Sequence, residues 1–363
     1  MKVIKQRKSP YCLAPFGSPA VTPTGFKMCS GPCAKSYPTV DFWNGKEMQE
    51  IRRQWLNDEV PKECEECYLT TGGVTSGNFI PEKKAKTILP LNFDDLYLAR
   101  SNRCDLACEM CSADISHTWD KIRNKGKLGI IDNNFDLTPY LKDTYSIAIS
   151  GGNPVLDHKI NDIIKALDNN KITRFLITSN GSVFPDKMLN NIINMEFKCM
   201  VLLIFSIDGP KEFNEKARFP AKQERIYKTI NSVIEKTKHV ENIHVCIEFT
   251  GTNESVRHVI GLYEEIKENL PTWPEYRGPF PIPNICCYPD KLALQNVDDE
   301  TWEYMQGELH TYFLHKKREC ILAAYFYNLV TKYTDMIRFY KDFRKSPSKY
   351  YEHSDSNTSE AKK

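Results

Sequence analysis

Asn102–Cys111 reads Asn-Arg-Cys-Asp-Leu-Ala-Cys-Glu-Met-Cys, which sets Cys104, Cys108 and Cys111 in a C-x3-C-x2-C array. Three thiols this close share one soft metal centre, because thiolates suit zinc and the iron of iron–sulfur clusters. A disulfide framework does not fit an odd number at such short spacing. The fourth ligand is the informative part. A structural zinc site is closed by four protein ligands, whereas a cubane held by three Cys keeps one iron open to a small chelating molecule.

Working outward, the stretch sits at the end of a short apolar run, Leu96–Ser101, the first of a series. Further strands are predicted at Tyr145–Ser150, Arg174–Thr178, Met200–Ser206, Ile243–Phe249 and Asn284–Tyr288. Amphipathic helices are predicted between them near 114–125, 158–168, 186–195, 223–238 and 255–268. In 223–238, for example, Ile226, Ile230, Val233 and Ile234 form one stripe. Strands alternating with helices specify parallel βα units. Six strands rather than eight predict an α/β fold with a partial (β/α)6 TIM-like barrel. In barrels the chemistry gathers at the C-terminal ends of the strands.

Residues 1–90 differ in kind. They carry Cys12, Cys29, Cys33, Cys64 and Cys67, with many Pro and Gly. Gly25 before Cys29 predicts a hairpin turn that delivers a thiol. Residues 41–58 read as a helix burying Met48, Ile51, Trp55 and Leu56, ended by Pro61 before Cys64-Glu-Glu-Cys67. C-x2-C plus two distant Cys is the ligand count of a complete four-thiolate site. It reads as a zinc knuckle stapling a core-poor segment or as a second iron–sulfur cluster. Residues 68–92 read as a linker.

C-x3-C-x2-C directly after a strand resembles the cluster loop of radical S-adenosylmethionine (SAM) enzymes. The resemblance implies a [4Fe-4S] cluster on Cys104, Cys108 and Cys111, with SAM chelating the open iron. It also implies one-electron cleavage of SAM to a 5′-deoxyadenosyl radical, and Met110 near the adenine. Ser150-Gly151-Gly152-Asn153-Pro154 resembles the Gly-Gly-Glu-Pro motif that takes the SAM amino group, with Asn153 where that family has Glu. Asn lacks the charge that strengthens a bond to an ammonium. Thr178-Ser179-Asn180-Gly181 resembles the family's Thr-Asn-Gly turn, and read bare it is a turn using Asn and Gly for positive φ. Ser206-Ile207-Asp208-Gly209-Pro210 looks like a Ser-Leu-Asp-Gly-Pro segment, and by resemblance Ser206 and Arg218 hold the carboxylate and ribose side of SAM. Cys12, Cys29, Cys64 and Cys67, with Cys33 as the alternative to Cys29, resemble an auxiliary-cluster module of the twitch or SPASM kind, here placed before the barrel.

Inward positions of later strands supply weaker candidates for a base or hydrogen-atom donor: Glu248, Cys246 and Cys286. Buried Cys on strands is otherwise plain core. The histidines show no metal-ligand spacing.

Composition bounds the rest. With 49 basic and 47 acidic residues the net charge is +2, which gives no general polyanion-binding surface. No basic run is interleaved with aromatics in the way nucleic-acid binding requires. No apolar stretch reaches membrane-spanning length, and Met1–Lys8 is basic without the apolar run of a signal peptide. Thirteen Cys without an export signal point to a reducing compartment, so the expected location is the cytoplasm. The expected organisation is a Cys-rich domain at 1–90, a barrel at 91–298, C-terminal helices at 299–345 and a polar disordered tail at 346–363. Trp302, Met305, Leu309 and Phe313 stripe one C-terminal helix. Leu322, Tyr325, Phe326, Leu329, Tyr333, Met336 and Ile337 stripe a second, and together the two are predicted to form a helical cap.

The expected function is a radical SAM enzyme acting on a peptide or protein side chain, with an external donor such as flavodoxin or ferredoxin. Two alternatives stay open. One is a radical SAM dehydrogenase of a small sugar- or nucleotide-derived molecule. The other is a non-catalytic protein with two structural zinc or iron–sulfur sites.

Overall fold

Strand alternation is realised in a nine-stranded sheet of order β3-β2-β1-β4-β5-β6-β7-β8-β9. The computed structural model describes residues 12, 14–31, 34–57, 59–65, 86–271, 280–286, 289–318 and 321–345. Cys33, Cys67, Cys287, Tyr288 and the tail at 346–363 lie outside the described residues. The barrel strands are β4 (Asp95–Leu98), β5 (Ser146–Ile149), β6 (Arg174–Ser179), β7 (Met200–Ser206), β8 (Ile243–Gly251) and β9 (Phe280–Ile285). Each pairs in parallel with the next. Before them, β1 (Ala20–Thr22) and β2 (Gly25–Lys27) form the predicted hairpin, and β2 also pairs with β3 (Ser36–Tyr37). β1 then lies parallel to β4. The Cys-rich segment therefore extends the barrel sheet and covers the exposed edge of β4, an edge that would otherwise present unpaired backbone groups.

Between the strands run α2 (His117–Arg123), α3 (Thr138–Leu141), α4 (Lys159–Ala166), α5 (Asp186–Asn194), α6 (Lys211–Ala217), α7 (Gln223–Thr237) and α8 (Val259–Asn269), all after α1 (Lys46–Leu56). The alternation of each strand decides where the core lies. Leu96, Leu98, Ile147, Ile149, Phe175, Ile177, Val201, Leu203, Val245 and Ile247 face the helices. There they join Ile164, Ile192, Ile230, Val233 and Leu262 in one buried cluster. The opposite row, Tyr97, Ala148, Leu176, Leu202 and His244, runs in register across five strands and stays half-exposed. That row lines an open concave face.

β9 lies four residues upstream of its predicted start. Pro281 and Pro283 argue against a strand, since proline lacks the ladder N–H. An edge strand tolerates them, and β9 is the last strand of the sheet. The C-terminal cap protects this edge. α9 (Asp299–Tyr304), a π-helical stretch Met305–Leu309, α10 (His310–Lys316) and α11 (Ile321–Lys345) fold back over it. The Tyr333 hydroxyl lies 2.7 Å from the Phe249 carbonyl and 2.8 Å from that of Asn284, bridging β8 and β9. Tyr263 on α8 packs edge-on to Phe313 and Phe326, both with ring centroids 5.4 Å away.

The N-terminal segment has a small core of its own: Phe16, Met28, Trp43, Met48, Ile51, Trp55 and Leu89. Arg52 is fully buried among them, stacked 4.3 Å from the Trp43 ring. Its Nε donates to the Pro15 carbonyl at 2.7 Å and its Nη1 to that of Thr87 at 2.8 Å. Burial lowers its pKa to about 10. One guanidinium thus ties three separate pieces of chain together.

Candidate functional site

The Cys loop leaves the C-terminal end of β4 and is held from three sides. Asn102 is fully buried, and its amide donates to the Ala113 and Gly129 carbonyls at 3.1 and 2.9 Å. The Cys104 N–H donates to His117 Nδ1 at 3.0 Å, and the Thr118 hydroxyl donates to the Cys104 carbonyl at 2.6 Å. On the far side, the N–H groups of Ala107 and Glu109 donate to the Phe219 and Ala217 carbonyls at 2.6 and 2.8 Å. His117 carries no metal-ligand spacing, so its role as a splint for the loop was not legible.

Gly151 and Gly152 press against this loop. Both have positive φ, +75° and +50°, where a side chain is strained. A Cβ on Gly152 would meet the Arg103 carbonyl oxygen at 2.5 Å. The Asn153 N–H donates to that same oxygen at 2.7 Å. The glycine pair thus permits a close approach of the strand-end turn to the Cys-loop backbone.

Cys104 and Cys108 are buried and Cys111 is half-buried, and Met110 packs against the same core. Burial, helped by the charge of Cys108, pushes the Cys104 thiol up to about 12. Cys108 and Cys111 are hydrogen-bonded to each other, which lowers the pKa of Cys108 and raises that of Cys111. Among the described residues no three His, Cys, Asp or Glu side chains are placed to hold a single metal ion. Two polar groups lie against the sulfurs. Arg218 Nη1 is 4.0 Å from Cys108 Sγ, and Asn180 Nδ2 is 3.7 Å from Cys104 Sγ.

Arg218 sits at the end of α6 and is buried. Its fork is held by Asp208, with Nε donating to Oδ2 at 2.6 Å and Nη2 to Oδ1 at 2.9 Å. Burial opposes the charge, but Asp208 and the neighbouring thiols outweigh it and hold the guanidinium cationic. Ser206 donates to Glu248 Oε2 at 3.2 Å. Burial raises the Glu248 carboxyl, against the pull of Arg218 and Ser206. Cys246 is fully buried and its thiol is pushed up by burial alone. Cys286 is buried just beyond β9.

Asn153 is fully buried and saturated by protein. Its amide donates to Asn180 Oδ1 at 2.8 Å, and its oxygen accepts from the Ser179 hydroxyl at 3.1 Å. Asn180 in turn donates to Asp105 Oδ1 at 2.7 Å, and Asn153 Nδ2 lies 3.5 Å from the same oxygen. Asp105 is half-exposed, and its second oxygen accepts no bond among the described residues. Asp105 and Ser179 were missed by the sequence reading. Asp105 occupies a spacer position of the Cys array, where spacing carries no signal.

In the N-terminal segment Cys12, Cys29 and Cys64 all pack against the small Trp43–Trp55 core. The fourth predicted thiol, Cys67, and its competitor Cys33 lie outside the described residues.

A half-barrel of parallel strands with three thiols at the mouth of the first defines the class of site. Residues 98–266 match the model of the Radical SAM superfamily. That superfamily uses a [4Fe-4S] cluster and S-adenosylmethionine (AdoMet). The chain is also similar to solved structures. One is native anSMEcpe with bound AdoMet and Cp18Cys peptide, at 18% identity and TM-score 0.43, covering 61% of this chain and 60% of that one. Another is native anSMEcpe with bound AdoMet, at 15% identity and TM-score 0.45, covering 61% of each chain. A third is Streptococcus suis SuiB bound to S-adenosylmethionine, at 16% identity and TM-score 0.40, covering 62% of this chain and 45% of that one. This chain thus spans about three fifths of the length of the first two. No curated protein matches it. No helix among the described residues is long and apolar enough to cross a membrane.

The donor set fits the cluster. Three soft thiols leave one loop together, and a fixed cation stands beside one sulfur to offset thiolate charge.

Proposed function

We propose that this chain is a radical SAM enzyme acting on a peptide or protein side chain, with Cys104, Cys108 and Cys111 as the ligands of its cluster. The observation that carries the reading is the thiol loop at the strand mouth with the Arg218 guanidinium against Cys108. When bound, the cluster and AdoMet supply a 5′-deoxyadenosyl radical that abstracts hydrogen from substrate.

The chain's own residues position and shield. Arg218, clamped by Asp208, keeps a positive charge at the sulfurs. Met110 offers an adaptable apolar contact for the adenine. Gly151 and Gly152 lock the strand-end turn to the Cys loop. Asn153 and Asn180 bring no charge, so the free oxygen of Asp105 is the acceptor for the AdoMet ammonium. Glu248, its carboxyl raised by burial, stands on the concave face beside Ser206, from which it accepts a hydrogen bond. The half-exposed row from Tyr97 to His244 provides a surface long enough for an extended peptide. Cys12, Cys29, Cys64 and Cys67 would hold a second iron–sulfur cluster as electron acceptor. The first three border one small core.

The test is anaerobic reconstitution with iron and sulfide, reduction by dithionite, and assay for 5′-deoxyadenosine with peptide, sugar and nucleotide pools. The account expects 5′-deoxyadenosine, raised most by peptides. An intact cluster that yields none, or a rise only with sugars, would overturn the enzyme or the substrate assignment respectively.

A further inference from the structure

The surface just outside the Cys loop is unlike the rest of the molecule. The whole chain is nearly neutral, with 49 basic and 47 acidic residues. Yet the stretch after the third Cys exposes Lys121, Arg123, Lys125 and Lys127. None of these four makes an ion pair among the described residues. Between and beside them stand Ile115, Ile122, Leu128 and Ile130, each at least 41% exposed.

The nearby acids do not neutralise this face. Asp120 is buried and accepts from the Leu128 and Gly129 N–H groups. Asp132 is paired with Arg103. Asp114 is the one exposed carboxylate within the stretch. Elsewhere exposed lysines such as Lys35, Lys171 and Lys211 have carboxylate partners.

The patch is also tied by hydrogen bonds to the loop that carries the thiols. Asp120 fixes the loop after α2 from within. Asn102 ties Gly129 and Ile131 to the start of the Cys loop, with the Ile131 N–H donating to Asn102 Oδ1 at 2.8 Å. The first turn of α2 bonds the Cys104 peptide on both sides, through His117 and Thr118. Exposed aliphatics set among unpaired cations suit a partner with an acidic rim around an apolar centre.

We propose that the face built by residues 115–130 docks an acidic one-electron donor protein, and that electrons enter the Cys104–Cys108–Cys111 site through it. The inference rests on the cluster assignment above. The step is balanced as a single transfer: a reduced flavin on the donor goes from hydroquinone to semiquinone, and the cluster gains that electron. Opposite charge raises the encounter rate and salt screens it, and the aliphatics hold the docked pair.

The test uses the reconstituted full chain and a purified acidic flavodoxin in its hydroquinone form, with cluster bleaching followed by stopped flow. Lys121→Glu/Lys125→Glu/Lys127→Glu is expected to slow bleaching about tenfold or more at low salt, and the wild-type rate is expected to fall as salt rises. Ile122→Ser is expected to slow it at all salt concentrations. Lys228→Glu, on α7, controls for net charge and is expected to leave the rate unchanged. Dithionite is expected to reduce every variant alike. Equal flavodoxin rates in the triple variant and wild type would overturn the proposal. So would loss of binding to phosphatidylglycerol vesicles in the triple variant with its flavodoxin rate intact, which would make the face a membrane contact. Failure of dithionite as well would instead sink the cluster assignment, and the docking with it.

Discussion

Arg218 and Asp208 face each other as a planar fork and a carboxylate, joined at 2.6 and 2.9 Å in a site closed to solvent. Asp208 Oδ1 also accepts from the Thr250 N–H at 2.9 Å, so the pair stitches the end of β7 to β8 while aiming a cation at Cys108. Removing one partner leaves a buried charge uncompensated. Asp208→Ala is therefore expected to cost about 3–5 kcal/mol in urea unfolding. Arg218→Lys is expected to recover little, because an ammonium lacks the two parallel donors. A loss below 1 kcal/mol would show that water already reaches the pair.

The second prediction concerns the missing charge at Asn153. Asp105→Asn is expected to weaken AdoMet binding about tenfold, equivalent to ~1.4 kcal/mol, in equilibrium dialysis of the reconstituted protein. Asn153→Glu alone sets a second carboxylate beside Asp105 and is expected to gain little, since like charges resist joint ionisation. Asn153→Glu combined with Asp105→Asn is expected to restore wild-type affinity. Unchanged affinity in Asp105→Asn would remove that residue from the binding site.

The barrel was legible because its signal is local. Each strand reads as an apolar run and each helix as a stripe, and Met200–Ser206 emerged with both ends correct. β9 was displaced because Pro281 and Pro283 mask a strand that survives only at an edge. The pairing of β1 with β4 had no local signal, as it joins residues more than seventy positions apart. That Cys104, Cys108 and Cys111 share one loop at the end of the first barrel strand was legible from spacing. Their supports, His117, Asp105 and Asp208, were not, since each acts through a contact made only in the folded chain.

Glu248 gives a pH-dependent prediction. A carboxyl raised by burial binds its proton more tightly in the folded state than in the unfolded one. Its contribution to stability is whole below the ordinary value of 4.5 and is lost as pH rises through the raised one. Glu248→Gln fixes a neutral side chain, so its stability relative to wild type is expected to improve as pH climbs from 4.5. Urea midpoints across that range check this, and parallel curves for the two proteins would refute it.

Cys64→Ala tests the second cluster. It is expected to remove the iron and the spectroscopic signal of one centre while leaving the AdoMet-responsive centre intact. Unchanged iron content would take Cys64 off the ligand set, and zinc in place of iron would make the N-terminal site a structural staple.

The most direct measurement isolates the loop centre. In a variant with Cys12, Cys29, Cys64 and Cys67 all changed to Ala, the reduced cluster is observed by electron paramagnetic resonance with and without AdoMet. The account predicts a cluster signal whose shape changes on adding AdoMet, because the ligand binds the iron that no side chain covers. A spectrum indifferent to saturating AdoMet, or a tetrahedral zinc bound in place of iron, would contradict it.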